Sequence, residues 1–348
     1  MAFDNKNQFN IDSVEPFLKH LEENGFSSPE AELDDLQLLA GGNSRSTLKL
    51  DTNVGSFICH VQHKPHMMKL EQEIDFQNFL GENGVNVAPH VGKAGNYDDN
   101  HQFEMTEFVE NHPTTDPSLK HIKNVGSKLA KFHEVGKLFV EDKEVTEREL
   151  SIAENMLESV ESAIQRASAL ATQIKNVALT IAENPSMSVV YAEKTITSIA
   201  SRLDKFEMGM LHGDVHKENI LFDKDGEVIA LIDFESARFA PLIRDVSTAM
   251  RNFACNHSAS DPLSYKKFSP EKAKTFLESY NEERTLTPKE LKYIDNFFKS
   301  DKHRTSEENG FSKDDSKQLD IDVSKITHDI ALQNLKHSNK TEISGNSR

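Results

Sequence analysis

The feature that most restricts the fold of this sequence is a short hairpin pattern inside a long helix-like region. Apolar runs at 220–222 and 228–232 flank a turn-forming stretch at 223–226, which contains two aspartates and a glycine. Such residues between two apolar runs favour antiparallel strands. Asn219 and Asp233 stand immediately outside the strands, so strand pairing would bring them together at the open end of the hairpin.

The sequence on either side of this hairpin divides into two regions of different character. Residues 30–109 contain short apolar runs separated by glycine-containing turns, with one helix-like stretch at 67–80. This pattern predicts a small antiparallel β-rich lobe carrying one helix. Residues 110–300 place apolar side chains mainly at helical spacing and predict a larger helical lobe. The predicted fold class is therefore α+β with two lobes.

The two ends of the chain are interpreted as additions to these lobes. Residues 1–29 form an N-terminal extension, with a short amphipathic helix expected at 10–24. Residues 301–348 are rich in Ser, Lys, Asp, Glu and Asn and predict a polar, mostly disordered tail. At most a marginal helix is expected there, at 326–336.

Charge and composition exclude several classes of partner. The formal net charge of −17 is opposite in sign to what binding of a phosphate backbone requires, so we expect no nucleic-acid partner. No apolar run approaches the roughly 18 residues of a membrane span, so no membrane partner is expected. The two cysteines, Cys59 and Cys255, are far apart and suit a reducing, cytoplasmic location.

Three polar residues around the hairpin have a spacing that is typical of phosphoryl transfer. Asp214 lies five residues before Asn219, and Asp233 follows fourteen residues after Asn219. A hydroxyl that attacks a phosphoryl group needs a carboxylate to accept its proton, which is the role predicted for Asp214. Magnesium takes oxygen ligands, which Asn219 and Asp233 would supply. The alternative is that these side chains only cap turns.

The motifs around these residues resemble those of the aminoglycoside phosphotransferase/choline kinase family. The segment His-Gly-Asp-Val-His-Lys-Glu-Asn at 212–219 and Ile-Asp-Phe-Glu at 232–235 match the family patterns H-G-D-L-H-x-x-N and I-D-F-E. Further matches lie at 87–89, 106–109, 127–133 and 241–246. The resemblance covers about residues 30–300 and is closer to homoserine kinase-like and stress-response kinase-like members than to resistance enzymes.

This resemblance implies a protein-kinase-like fold that uses ATP and Mg²⁺. Asp214 would be the catalytic base, and Asn219 and Asp233 the magnesium ligands. The small lobe would hold the nucleotide, and three further residues would support the catalytic loop: His212, His216 and Asp245.

The nucleotide side of the site is implied by weaker patterns. Gly41, Gly42 and Asn43, with Ser44 and Arg45 after them, occupy the place of a loop covering the phosphates, where glycine lets backbone amides approach closely. Glu107 and Val109 fall at the stretch that leads to the hinge between the lobes. These residues are expected to bind the nucleotide.

One position departs from the family pattern. The third strand usually ends in lysine or arginine, but this sequence has His60 there, while Glu73 matches the acid that normally pairs with that cation. A protonated histidine would serve as the cation. The alternatives are that Lys49, Lys64 or Arg45 supplies the charge.

Three functions therefore remain open at this level. The first is a kinase that phosphorylates a hydroxyl of a small molecule, and the second is a nucleotide-binding pseudokinase or scaffold, which His60 would favour. The third is a protein Ser/Thr kinase, but the eight residues between Asp233 and Pro241 leave little platform for a peptide. The sequence favours a small acceptor, which Glu154, Glu158 and Glu161 would meet if it carries an amine; the alternative is a solvated helix face.

Overall fold

The computed structural model describes residues 13–26, 33–39, 45–63, 67–141, 206–258, 263–300 and 312–345. The chain divides into two compact units, one formed by 1–114 with 218–235 and the other by 115–217 with 236–348. Two assignments differ from the sequence prediction. The hairpin after Glu218 groups with the β-rich unit, and the C-terminal residues group with the helical unit.

The first unit is built on an antiparallel sheet of five strands: β1 (Leu33–Leu39), β2 (Ser46–Thr52), β3 (Gly55–His63), β4 (Gly95–Asn96) and β5 (His101–Glu107). Their order across the sheet is β1-β2-β3-β5-β4. Thr47 on β2 pairs with His60 on β3, and His60 pairs in turn with Glu104 on β5. Paired residues point to the same face of a sheet, so these three side chains form one row across it.

One face of this sheet is the apolar core of the unit. Alternate residues of β2, β3 and β5 are buried there, together with two residues of helix α1 (Glu15–Glu23). The ring of Phe17 packs edge-on against Phe103 with centroids 4.8 Å apart, and Leu21 is fully buried. The expected helix in the first 29 residues is therefore present, but it belongs to this core and is not a separate extension.

The opposite face of the sheet carries the row of Thr47, His60 and Glu104 and is covered by helix α2 (Met67–Glu82). Gln77 on α2 donates to the carbonyl of Ala88 at 2.6 Å. The predicted hairpin forms β7 (Ile220–Phe222) and β8 (Val228–Leu231). The Leu231 amide donates to the Asn86 carbonyl at 2.9 Å, which ties the hairpin to this unit.

The second unit is mainly helical. Strands β6 (Met208–Leu211) and β9 (Arg238–Pro241) pair antiparallel and lead into helix α4 (Ile243–Ala254). Helix α3 (Leu119–Glu141) packs on α5 (Pro270–Glu283), followed by α6 (Pro288–Ser300) and α7 (Lys313–Gly345). None of the described helices is long and apolar enough to cross a bilayer.

A buried arginine ties several segments of this unit together. Arg284, with a side chain 5% exposed, contacts Glu290 at 2.5 Å and Glu207 at 2.6 Å. Its guanidinium also lies 5.8 Å from the ring centre of Tyr280. Helices are also predicted at 146–182, with Glu154, Glu158 and Glu161, and at 189–206; apart from residue 206 they lie outside the described residues.

Helix α7 shows that the prediction of a mostly disordered tail was wrong for residues 313–345. Ser312 and Asp315 cap its first turn reciprocally, with Asp315 N donating to Ser312 Oγ at 3.1 Å. A narrow apolar stripe at spacings of four, three and four residues packs on α5 and α6. This stripe consists of Leu319, Val323, Ile326 and Ile330. The polar average composition of residues 301–348 therefore gave no indication that one face of α7 is buried.

Replacing Ile330 by Ala is expected to lower the free energy of unfolding by about 2–5 kcal/mol, because this fully buried side chain would leave a cavity. Ile321→Ala on the same helix is the matched control, since that side chain is 60% exposed and should change stability by less than about 0.5 kcal/mol. Urea unfolding of both variants checks the prediction. Equal stability of the two would show that α7 does not dock.

Candidate active site

The open end of the β7–β8 hairpin holds two of the predicted site residues. Ile220 pairs with Leu231, and the Ile232 amide donates to the Asn219 carbonyl at 3.1 Å. Asn219 and Asp233 are therefore brought to the same end of the hairpin. Asn219 is buried, and Asp233 lines the adjacent cavity.

The backbone of Asp233 is in the left-handed region, with φ of +66°. Aspartate tolerates this conformation better than most residues, but it still costs about 1–2 kcal/mol relative to the right-handed region. Asp233 lies two residues after the end of β8, and the following Phe234 is buried, with its ring 6.1 Å from that of Phe76. Backbone strain of this kind is common at ligand sites.

The first unit contains a cavity of about 200 Å³ next to Asp233. Its walls are mostly apolar, with polar side chains concentrated on the sheet and on α2. Such a lining suits a flat, partly polar ligand. The cavity is lined by Leu39, Thr47, Ile58, His60, Glu73, Gln77, Ala88, Glu104, Thr106, Glu107, Phe108, Val109, Asn111, Leu221, Ile232, Asp233 and Phe234.

Most of the predicted nucleotide residues are thus brought together. His60, Glu73, Glu107 and Val109 all line the cavity that Asp233 lines. The predicted phosphate loop of Gly41, Gly42 and Asn43 lies outside the described residues. The main chain beside the cavity is held in place, since Glu107 N donates to Pro89 O and Phe108 N to Ser56 O, both at 2.9 Å.

A buried cation accompanies the acidic residues of this cavity. Arg45, directly before β2, has a side chain that is 7% exposed. Its Nη2 donates to Glu73 in a short contact, and its Nη1 donates to Glu104 Oε1 at 2.8 Å. Its Nε lies 3.1 Å from Glu235 Oε2 without hydrogen-bond alignment.

These contacts shift the pKa values of both charged partners. Burial alone would lower the pKa of Arg45, but Glu104, Glu73 and Glu235 raise it, so Arg45 stays charged at all accessible pH values. Burial alone would raise the pKa of Glu104. The hydrogen bond with His60 and the charges of His60 and Arg45 instead lower it to about 2.

The pairing of His60 differs from the expectation. The family pattern suggested that position 60 pairs with Glu73, but within the described residues the ion pair of Glu73 goes to Arg45, and His60 Nδ1 lies 3.0 Å from Glu104 Oε1. Arg45 had been one of three alternative cations, and Glu104 was not predicted as a site residue. A carboxylate between buried positions of an apolar strand was the available signal for Glu104.

We expect the free energy of unfolding to depend on Glu104 at acid pH. Its folded pKa of about 2 is below its ordinary value of 4.5. The resulting stabilisation, on the order of 3 kcal/mol, is complete above pH ~4.5 and is lost as the pH falls towards 2. Urea unfolding at several pH values should therefore show a shallower acid decline for Glu104→Gln than for the parent. Glu82→Gln, at an exposed site, should decline as the parent does.

The predicted catalytic loop lies in the second unit and is anchored by Asp245. The carboxylate of Asp245 accepts hydrogen bonds from the backbone amides of His212 at 2.9 Å and Gly213 at 3.1 Å, and His133 Nε2 lies 3.2 Å away. Gly213 has φ of +86°, and a Cβ there would lie 2.2 Å from the Ser236 carbonyl oxygen. The local turn therefore requires glycine.

Asp214 projects from this anchored loop with a side chain that is 49% exposed. His216, which is buried, places Nε2 3.3 Å from Asp214 Oδ2. The hydrogen bond with His216 lowers the pKa of Asp214, although partial burial opposes the shift, and the charges of His212 and His257 lower it further. Asp214 is thus an ionised carboxylate at neutral pH, suited to orient a hydroxyl and accept its proton.

A divalent ion is compatible with the donors at the hairpin. Within the described ranges no three His, Cys, Asp or Glu side chains converge as a complete metal cage. Magnesium does not need one, because it is usually held by one or two protein oxygens together with phosphate oxygens and water. The carboxylate of Asp233 and the amide oxygen of Asn219 fit that requirement.

A two-unit α+β protein with these features falls in the class of kinase-fold phosphotransferases, and comparison with known proteins specifies the family. The model of the family described as "Phosphotransferase enzyme family" matches residues 35–262. The chain belongs to this family.

Individual relatives are distant. A probable ethanolamine kinase of Nematostella vectensis is 30% identical over 96 residues, which is 27% of this chain and 26% of that protein. The chain therefore matches about a quarter of the length of this curated relative.

The solved structure of a Plasmodium vivax ethanolamine kinase is 12% identical, with 85% of this chain and 80% of that chain covered and a TM-score of 0.51. An aminoglycoside-3'-phosphotransferase of type VIII is 18% identical, with 79% and 96% covered and a TM-score of 0.46. The family match and the Plasmodium structure identify the fold as protein-kinase-like.

Proposed function

We propose that this protein transfers the γ-phosphoryl group of Mg-ATP to a hydroxyl of a small molecule. The observation that carries the proposal is the β7–β8 hairpin, which holds Asn219 and Asp233 at one end, with Asp233 lining a largely apolar cavity within the first unit. An apolar cavity bordered by magnesium-type ligands suits a nucleotide, whose base needs the cavity and whose phosphates need the metal.

Asp214 is the proposed base. The acceptor hydroxyl loses its proton to the Asp214 carboxylate while its oxygen forms a bond to the γ-phosphorus, and the bond from that phosphorus to the bridging oxygen of ADP breaks. The lowered pKa of Asp214 keeps it unprotonated before the reaction. Asp245 supports this role by fixing the backbone on the N-terminal side of Asp214.

Asn219 and Asp233 are the proposed magnesium ligands. When bound, the ion neutralises charge on the β- and γ-phosphates. The side chains of Asn219 and Asp233 would orient it through an amide oxygen and a carboxylate. The left-handed backbone at Asp233 directs that carboxylate from a rigid strand end, so little ordering is needed when the ion binds.

The adenine ring is proposed to occupy the cavity between the sheet and the hairpin. Ile58, Ala88 and Leu221 contribute apolar surface to its walls. Main-chain groups at Glu107 and Val109 border it and would bond the polar edge of the ring. The backbone amides of Glu107 and Phe108 donate hydrogen bonds within the first unit. The segment that follows β5 is therefore held in place before the nucleotide binds.

The acceptor is proposed to be a small alcohol, with amino alcohols tested first. The support for this order is the similarity to a protein described as a probable ethanolamine kinase and the net charge of −17, which favours cationic ligands. A screen of magnesium-dependent ATP consumption with ethanolamine, choline, homoserine, sugars and aminoglycosides tests the proposal. Acceptor-dependent ADP release supports it.

A nucleotide-binding protein without phosphoryl transfer is the second candidate. The observation favouring it is that the charge of Arg45 is already compensated by three carboxylates in this structure. Tight Mg-ATP binding with no turnover for any acceptor would support this candidate over the kinase.

A further inference from the structure

The cavity presents a charge problem for any phosphate-bearing ligand. Four of its lining residues, Glu73, Glu104, Glu107 and Asp233, carry carboxylates, and no Lys or Arg occurs among its described lining residues. A nucleotide diphosphate or triphosphate adds several more negative charges. Binding therefore requires a cation close to this wall in addition to magnesium.

Among the described residues, Arg45 is a cation in contact with that wall. Its two hydrogen-bonded partners, Glu73 and Glu104, both line the cavity. Its charge is permanent, because the surrounding carboxylates hold its pKa above the ordinary value. Lys49, another candidate, is instead engaged by Asp51 at 2.8 Å and lies over the ring of Phe108.

Arg45 and His60 meet at a single atom. Arg45 Nη1 is 2.8 Å from Glu104 Oε1, and His60 Nδ1 is 3.0 Å from the same oxygen. Arg45 lies directly before β2, and His60 lies on the neighbouring strand β3. The side chains of both residues contact the same oxygen of Glu104. A positive charge at that point can therefore come from either strand.

The third partner of Arg45 is the one that a ligand can replace. Glu235 has a side chain that is 35% exposed, and its contact with Arg45 Nε lacks hydrogen-bond alignment. Glu73 and Glu104, in contrast, have side chains that are 8% exposed and make aligned hydrogen bonds. Exchange of Glu235 for a phosphate oxygen would leave the two buried pairs intact.

We propose that Arg45 is the phosphate-contacting cation of the nucleotide site and that it binds phosphate by exchanging its contact with Glu235. In the family pattern the cation lies on β3, whereas here it lies directly before β2, and His60 on β3 contacts Glu104. This inference rests on the proposed function, since it takes the ligand to be an adenine nucleotide. Arg45 therefore takes the place of His60 as the proposed contact of the nucleotide phosphates.

Calorimetric binding of adenosine and ADP to the full chain tests the proposal. Arg45→Met should weaken ADP binding by about 10- to 100-fold, the effect of one charged hydrogen bond, and should leave adenosine binding unchanged. A purely structural role of Arg45 would weaken both ligands equally and would overturn the proposal. If the parent binds neither ligand, the proposed function itself fails.

If Arg45→Met does not fold, variants that keep a positive charge beside Glu104 still test the proposal. The double variant Arg45→Met, His60→Lys places a lysine beside Glu104 from β3 and should recover most of the ADP affinity. Arg45→Lys should show a smaller loss of ADP affinity than Arg45→Met. A folded double variant that binds adenosine but not ADP would contradict a shared charge position.

Two controls separate charge from stability. Arg284→Met removes a similarly buried, carboxylate-paired arginine from the other unit and should lower the Tm without changing ADP affinity. Glu235→Gln should tighten ADP binding several-fold in the absence of magnesium, because a competing carboxylate is removed. Weaker binding of magnesium-free ADP to Glu235→Gln would overturn the exchange.

Discussion

Asp214→Asn is expected to lower the rate of phosphoryl transfer by about 100- to 10,000-fold, the range that general base catalysis contributes. The amide of asparagine keeps the shape of the side chain but accepts no proton. Nucleotide affinity should stay within a few-fold of the parent, since the proposed partner of Asp214 is the acceptor hydroxyl. Steady-state rates and a separate ADP titration measure the two effects.

The control for this prediction is Asp225→Asn. Asp225 lies in the exposed turn of the hairpin, and its replacement removes the same charge a short distance along the chain. Its turnover should match that of the parent. Full activity in Asp214→Asn would show that the base lies elsewhere, and an equal loss in both variants would point to an effect of net charge.

Asp233→Asn is expected to reduce the affinity for the magnesium–nucleotide complex by at least about 100-fold, because a directly bound carboxylate contributes more than the outer-shell groups whose loss costs 10- to 100-fold. Asparagine is preferred to alanine here. It tolerates the left-handed backbone of Asp233, so the result reports on the lost charge and not on backbone strain.

Asn219→Ala should weaken the same complex by a smaller factor of about ten, because one neutral amide oxygen is lost. Titration of an ATP analogue with and without magnesium separates metal binding from base binding. Both variants should bind adenosine as the parent does. If magnesium strengthens nucleotide binding equally in all three proteins, the metal ligands have been misassigned.

Residues whose positions depend on local pairing were predictable from the sequence. Asn219 and Asp233 flank a hairpin with an unambiguous turn, so their proximity followed from strand pairing alone. Strand alternation likewise puts His60 on the face of β3 opposite Cys59, and the burial along β3 alternates in this way. Periodicity of two along a strand is enough for such assignments.

Roles that depend on non-local packing were predicted only in part or not at all, since the sequence named Arg45 as one of three alternative cations but did not give its partners. Arg45 follows a glycine-rich stretch with no strand pattern of its own, and its partners lie 28 and 59 residues further along the chain. The stripe on α7 contains four apolar residues in a polar segment, and its significance depends on α5 and α6 being positioned to receive it. Average composition indicates solubility but does not show whether one helix face is buried.

The hairpin also has a consequence for the order in which the protein folds during synthesis. The first unit takes its first 114 residues from one continuous segment but receives 218–235 from a distant one. At ribosomal elongation rates, roughly ten seconds separate the emergence of the two segments. Until then Val87 lacks its bridge to Leu231, and the cavity lacks the wall that 218–235 contributes, namely Leu221, Ile232, Asp233 and Phe234. A nascent chain or a fragment ending at residue 114 therefore exposes apolar surface that a chaperone would recognise, and the proposed nucleotide site is completed only after residues 115–217, a little under half of the second unit, have been synthesised.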